Sequence, residues 1–214
     1  MLSDPQINQA FQIILKEFPN AGPSLQAQSN FQYLIAVLLS AQTTDKSVNQ
    51  VTPKLFQQFP TPQAMATATI SEIEPLIKSI GLYHNKARYL VACAQNLCQH
   101  FNDEVPSVKS QLVTLPGVGT KTANVVLADC FGIPAFAVDT HVSAISKRLH
   151  FVSSTATVNQ IERRITSALP DNLWISGHHA LIELGRKYNF HNEKQIQDLP
   201  IVQICDQWEL SNQK

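Results

Sequence analysis

The chain has 214 residues, 44% of them hydrophobic and 15% charged, with 16 basic side chains balancing 16 acidic ones. That is enough apolar material for a full core, in one large domain or two small ones, and the even balance excludes a general positive field as the means of holding a polyanion. No apolar run approaches the roughly 18 residues of a membrane span, and Met1-Leu-Ser-Asp-Pro-Gln6 lacks the basic start and apolar core of an export signal. A cytoplasmic chain with no membrane partner is expected. Cys93, Cys98, Cys130 and Cys205 show neither a CxxC pair nor metal-ligand spacing, so free and mostly buried thiols are expected.

In chain order, Ile7, Ala10, Phe11, Ile14, Leu15 and Phe18 recur at helical spacing up to Pro19. Phe31 to Gln42 is apolar almost all round, which suits a central helix covered by neighbours. Thr44 or Asp45 can cap a helix running through Phe56. Pro60 and Pro62 break the chain, and Ser71-Glu-Ile-Glu74 starts a helix that runs out at Gly81. The pattern continues over 85–100 and 107–113, then at about 140–150, 157–168 and 173–187, before a less regular tail. No stretch alternates long enough for a sheet, so the expected fold class is all-α.

Between these helices, Leu115-Pro-Gly-Val-Gly119 reads as a tight hairpin, with a helix starting near Thr120 or Lys121. Glycine-flanked amides at a helix N-terminus suit an anion, most naturally a phosphate. Ser79-Ile-Gly-Leu-Tyr-His-Asn-Lys-Ala87 echoes Leu115-Pro-Gly-Val-Gly-Thr-Lys-Thr-Ala123, although both turns also fit plain connections between packed helices. A helix of about 11 residues carries the chain roughly 16 Å from Lys121. Residues 132–139 span at most about 26 Å if extended, so Asp139 can return beside the lysine. A partly desolvated lysine at a helix start would have a lowered pKa and supply a nucleophilic amine that the aspartate orients or deprotonates. The alternatives are a solvated surface lysine and an ordinary N-cap aspartate.

The hairpin Leu115–Gly119, the run Lys121-Thr-Ala-Asn-Val-Val126 and Val138-Asp-Thr-His141 resemble the helix-hairpin-helix signature of the DNA glycosylase superfamily, specifically its endonuclease III family. Leu38-Leu-Ser-Ala-Gln-Thr-Thr-Asp-Lys-Ser-Val-Asn49 and Ile80-Gly-Leu-Tyr-His-Asn-Lys-Ala87 resemble two further family segments. His178-His179 and Gly185-Arg186 follow in the family's order, so the likeness covers roughly residues 5–188.

The resemblance implies a monomeric base-excision-repair enzyme acting on damaged double-stranded DNA. It would remove oxidised pyrimidines as a bifunctional glycosylase and apurinic/apyrimidinic lyase. Lys121 would attack C1′ of the flipped nucleotide and form a Schiff base, and β-elimination would cut the strand, with Asp139 activating the lysine. Gln42 and Leu82 would fill the gap left in the stack. Gly117, Val118 and Gly119 would bind phosphate through their amides, and His141 stands open between a phosphate contact and a helix-start histidine. Asp45 matches a carboxylate near the family's cleft, or simply caps a helix. The implied architecture is two helical subdomains flanking a DNA cleft, 22–133 and 1–21 plus 134–214. A non-catalytic DNA-binding module and a glycosylase of shifted base specificity are the alternatives.

Two departures stand out. Family members carry C-x6-C-x2-C-x5-C around a [4Fe–4S] cluster, and this spacing falls here on Asn189, Ile196, Leu199 and Cys205, with one thiol retained. No metal and no cofactor is therefore expected, with Ile196, Leu199, Ile201, Val202 and Ile204 forming a small apolar core instead. Ala144 replaces a residue that is often basic in relatives.

Overall fold

The computed structural model describes residues 1–190 and 192–213. Its helices are α1 (Asp4–Glu17), α2 (Asn30–Leu39), α3 (Asp45–Gln58), α4 (Pro62–Ala66), α5 (Ile70–Ile77), α6 (Tyr83–His100), α7 (Lys109–Leu112), α8 (Thr120–Phe131), α9 (Thr140–Arg148), α10 (Val158–Ala168), α11 (Trp174–Lys187), α12 (Glu193–Ile196) and α13 (Pro200–Asn212). No strand occurs among the described residues. The chain divides into two compact units, Met1–Gly22 with Pro134–Lys214, and Pro23–Ile133.

In the terminal unit, α1 begins where Gln6 accepts the backbone N–H of Ser3 at 2.9 Å, and it buries Ile7, Ala10, Phe11 and Ile14. Phe11 stacks on Phe151 at 5.6 Å between ring centroids and meets Phe136 edge-on at 6.4 Å. Each such buried ring stabilises the unit by roughly 1.5–3 kcal/mol. The tail is more regular than expected. Pro200 opens α13 with its φ already helical, and Ile201, Val202 and Cys205 join Ile196 in the core, with Leu199 partly buried against it. Ile204 is half-buried, and Ala144 packs against the same core.

Arg148 of α9 anchors α13 by donating to both carboxylate oxygens of Asp206, at 2.7 and 3.0 Å, while His150 Nε2 lies 2.8 Å away. The Arg148 guanidinium, helped by His150, holds the Asp206 carboxyl below its ordinary range against the opposing effect of burial. A depressed folded-state pKa means that this stabilisation is present above the ordinary carboxylate value of about 4 and fades as pH falls toward the lower folded value. Thermal unfolding midpoints should therefore drop more steeply below about pH 4 in the native chain than in Asp206→Asn. Parallel curves would remove the pair from the acid response.

In the Pro23–Ile133 unit, Ser29 Oγ accepts from Gln32 N at 3.2 Å to start α2. Leu34 to Leu39 of that helix are all buried, as its uninterrupted apolar run requires. Tyr33 ties α2 to α8 by donating to Asp129 at 2.5 Å, and burial, reinforced by that carboxylate, pushes its phenol well above the ordinary value. Pro62 starts a helix rather than breaking one. Thr61 caps α4, and a proline at the first helical position loses no hydrogen bond. The helix expected from Ser71 starts one residue earlier because Thr69 and Glu72 form a reciprocal cap.

Candidate active site

Two helical hairpins shape one end of this unit's chemistry. In the first, α5 ends at Ile77 and α6 starts at Tyr83, with Leu82 as its N-cap. Leu82 has φ 59° and is 53% exposed, so a large apolar side chain projects from a left-handed turn. In the second, Leu115 donates to Leu112 O at 3.1 Å, Val118 donates to Leu115 O at 3.0 Å, and Gly119 caps α8. Val118 is 6% exposed. Its amide is engaged inside the hairpin and its side chain is buried, so its contribution is to hold the turn.

Gly117 sits at φ +83°, and a Cβ there would lie 3.1 Å from Tyr89 Cγ and 3.3 Å from Leu38 Cδ2. Sequence and packing agree on glycine at this point. Gly117→Ala should destabilise the chain by about 1–2 kcal/mol from the left-handed backbone alone, read as a lower denaturant midpoint; an unchanged midpoint would mean that the hairpin relaxes freely.

Lys121 is the second residue of α8 and is exposed. The expectation of partial desolvation is not met in the free chain, so its position at a helix N-terminus is what distinguishes this amine. Gln42 is also exposed and left-handed, at φ 54°, on the loop between α2 and α3. Non-glycine residues held there each cost roughly 1–2 kcal/mol, which marks both the Gln42 loop and the Leu82 turn as held by their surroundings. Asp45 is the first residue of α3, capped by Thr44, and its carboxylate accepts from Ser24 Oγ. The structure brings Gln42, Asp45, Leu82, the hairpin and Lys121 into one folded unit.

Asp139 and His141 belong to the other unit. Phe136, Ala137 and Val138 are buried and deliver Asp139 to the start of α9, where its Oδ1 accepts from Val142 N at 2.8 Å. Asp139 is therefore an N-cap in structural fact, whatever else it does. His141 is half-buried against α11. A Cβ on Gly185 would come within 2.7 Å of His141 Nδ1, so glycine is required for this close approach.

One connection was not foreseen from the sequence. Lys86 is 5% exposed and its Nζ donates to Thr43 Oγ1 at 2.6 Å, joining α6 to the Gln42 loop. A signal existed, because Lys86 shares helical spacing with the buried Leu90, Cys93 and Leu97.

The family model of HhH-GPD superfamily base excision DNA repair proteins matches residues 35–171. Endonuclease III of Bacillus subtilis (strain 168) is 37% identical over 214 residues, covering 100% of this chain and 98% of the relative. Endonuclease III of Synechocystis sp. is 43% identical over 194 residues, 90% of this chain and 88% of the relative. A solved structure of a trapped endonuclease III–DNA covalent intermediate superposes with a TM-score of 0.92 at 40% identity, covering 99% of this chain and 100% of that one. The chain belongs to the HhH-GPD superfamily of base excision DNA repair proteins, and within it to the endonuclease III family of DNA glycosylases. Likeness along whole enzymes favours this over a plain phosphate clamp. Among the described residues no helix is long and apolar enough to cross a membrane.

The expectation of a cofactor-free enzyme is overturned by these relatives, because endonuclease III homologues and structures carry a [4Fe–4S] cluster. This chain's described residues do not by themselves fit as its cage. Cys205 is buried, with burial pushing its thiol up to about 12, and Cys93, Cys98 and Cys130 belong to the other unit. Among the described residues no group of three or more His, Cys, Asp or Glu side chains could hold a metal ion.

Proposed function

We propose that the chain excises oxidised pyrimidines from duplex DNA as a bifunctional glycosylase and lyase, with Lys121 as nucleophile. The observation that carries this is Lys121 itself, exposed at the N-terminus of α8 behind the hairpin, in a chain 40% identical to a relative trapped in covalent linkage with DNA. The amine attacks C1′ of the flipped nucleotide, and the damaged base departs with the electrons of the glycosidic bond and takes up a proton. Loss of the amine's proton and opening of the sugar give an iminium ion. Removal of a proton from C2′ then expels the 3′ phosphate and cuts the strand.

Asp139 supplies the carboxylate that accepts the lysine's proton and balances the developing cation. Gln42 and Leu82, both exposed and both in the left-handed conformation, fill the gap left in the stack. The hairpin at Gly117 and Gly119 contacts backbone phosphate without regard to sequence. Asp45 takes the part of the family's active-site carboxylate, and His141 packs closely against Gly185 of α11.

The test is borohydride reduction of the protein on a duplex carrying thymine glycol or an abasic site. A covalent adduct that carries the cut strand is the expected product. Binding without trapping or cutting would favour the non-catalytic module instead, and trapping at abasic sites alone would favour a shifted base specificity.

A further inference from the structure

Lys86 stands on an otherwise apolar stripe of α6, and burial lowers its pKa from the ordinary lysine value. Burying an ammonium group is unfavourable unless its partners are well placed, and a long side chain also gives up roughly 1.5–2 kcal/mol of rotamer freedom. Methionine would fill the same space at a similar rotamer cost but without burying a charge. The lysine is better explained by what its ammonium group holds, one turn from the exposed N-cap of α6.

Its backbone N–H donates to Leu82 O at 3.0 Å, the carbonyl of the exposed turn residue. Its Nζ donates to Thr43 Oγ1 at 2.6 Å, and the Thr43 hydroxyl donates on to Ala41 O at 3.4 Å. Ala41 and Thr43 flank Gln42, so this chain of bonds closes around the residue held at φ 54°. The Lys86 side chain therefore ties the loop that carries Gln42 to the first turn of α6, whose N-cap is Leu82; both residues are exposed in the left-handed conformation, as Asn102 is elsewhere in the unit.

We propose that Lys86 is a positioning residue that locks the Gln42 loop and the Leu82 turn into one rigid wedge for opening the DNA stack. The inference rests on the reading in which Gln42 and Leu82 enter the duplex. A wedge with two independently moving points must pay ordering entropy when it enters DNA, whereas a cross-linked one meets the stack already set. The effect belongs to base opening and not to the chemistry at Lys121.

Two substrates separate these steps: thymine glycol in a fully paired duplex, and an abasic site at the centre of an unpaired bubble, where no stack needs filling. Lys86→Met and Thr43→Val should each slow single-turnover excision from the duplex about tenfold, while borohydride trapping on the bubble stays within about twofold of the native chain. The double variant should be no slower than either single one, since both break one interaction. Thr43→Ser keeps the hydroxyl and should recover the native rate. If Lys86→Met folds poorly, the Thr43→Val and Thr43→Ser pair decides, because the lysine remains. Equal losses on both substrates, or native rates on the duplex, would overturn the positioning role. Gln42→Ala and Leu82→Ala serve as controls: native duplex rates in these would sink the wedge reading itself, whereas slow controls beside a native Lys86→Met would sink the present inference alone.

Discussion

Lys121→Ala should bind damaged duplex and yet form no borohydride adduct, with strand cutting reduced by more than about 1,000-fold, the scale expected when a covalent nucleophile is deleted. The substitution is mild for the fold. Lys121 is an exposed residue in the first turn of α8, alanine is the best helix former, and exposed changes of this kind stay within about 0.5 kcal/mol. Loss of activity can therefore be read as loss of the amine and not of the helix. The Gly117 hairpin precedes the lysine and is untouched, so binding to a duplex should persist under the same salt conditions. An alanine variant trapped as efficiently as the native chain would move the nucleophile elsewhere.

The all-helical character was legible because proline, glycine and capping residues punctuate nearly every apolar run. The same residues also mislead, because a proline can open a helix as readily as end one. Pro62 stands where the sequence suggests a break and Pro200 lies in a tail without regular spacing, yet each opens a helix, since a proline's missing N–H is harmless in the first turn. The tail's helix depends on Ile201, Val202 and Cys205 finding the core and on Asp206 finding Arg148, a partner 58 positions away that no local pattern announces.

The candidate site was legible in a different way. Hairpin and lysine are contiguous, so Gly117 and Lys121 could be seen in one short stretch and tied to a helix N-terminus. Backbone conformation was not visible: nothing in the letters Gln42 and Leu82 says that both adopt positive φ. The Lys86–Thr43 bond was hidden for another reason. A lysine on an apolar stripe is ordinarily solvated at its tip, and only the fold shows this one turned inward to a hydroxyl 43 positions away. The cluster is not legible in this way: the spacing of four cysteines in one chain points away from it, and the relatives' own cofactor contradicts that expected absence.

Asp139→Asn should retain the fold and lose about 100- to 10,000-fold in excision rate, the range over which a positioned acid or base contributes. The observed cap and the proposed proton acceptor meet at this residue, and the substitution separates them. As an N-cap, Asp139 accepts from Val142 N at 2.8 Å, and asparagine caps about as well as aspartate because its amide oxygen accepts the same bond. Only the favourable term between a negative charge and the helix N-terminus is lost, roughly 0.3–1 kcal/mol. As a catalytic group, however, the carboxylate must take a proton and balance a cation, which a neutral amide does not do. Asp139→Ala removes both roles, so it should match Asp139→Asn in activity while falling below it in stability by about 1 kcal/mol. Single-turnover excision measured beside thermal unfolding gives both coordinates for each variant. Should Asp139→Asn cut at the native rate while Asp139→Ala fails only in proportion to its lost stability, the aspartate is a cap and nothing more, and the proton acceptor for Lys121 must be sought in another carboxylate, with Asp45 at the start of α3 the next to replace.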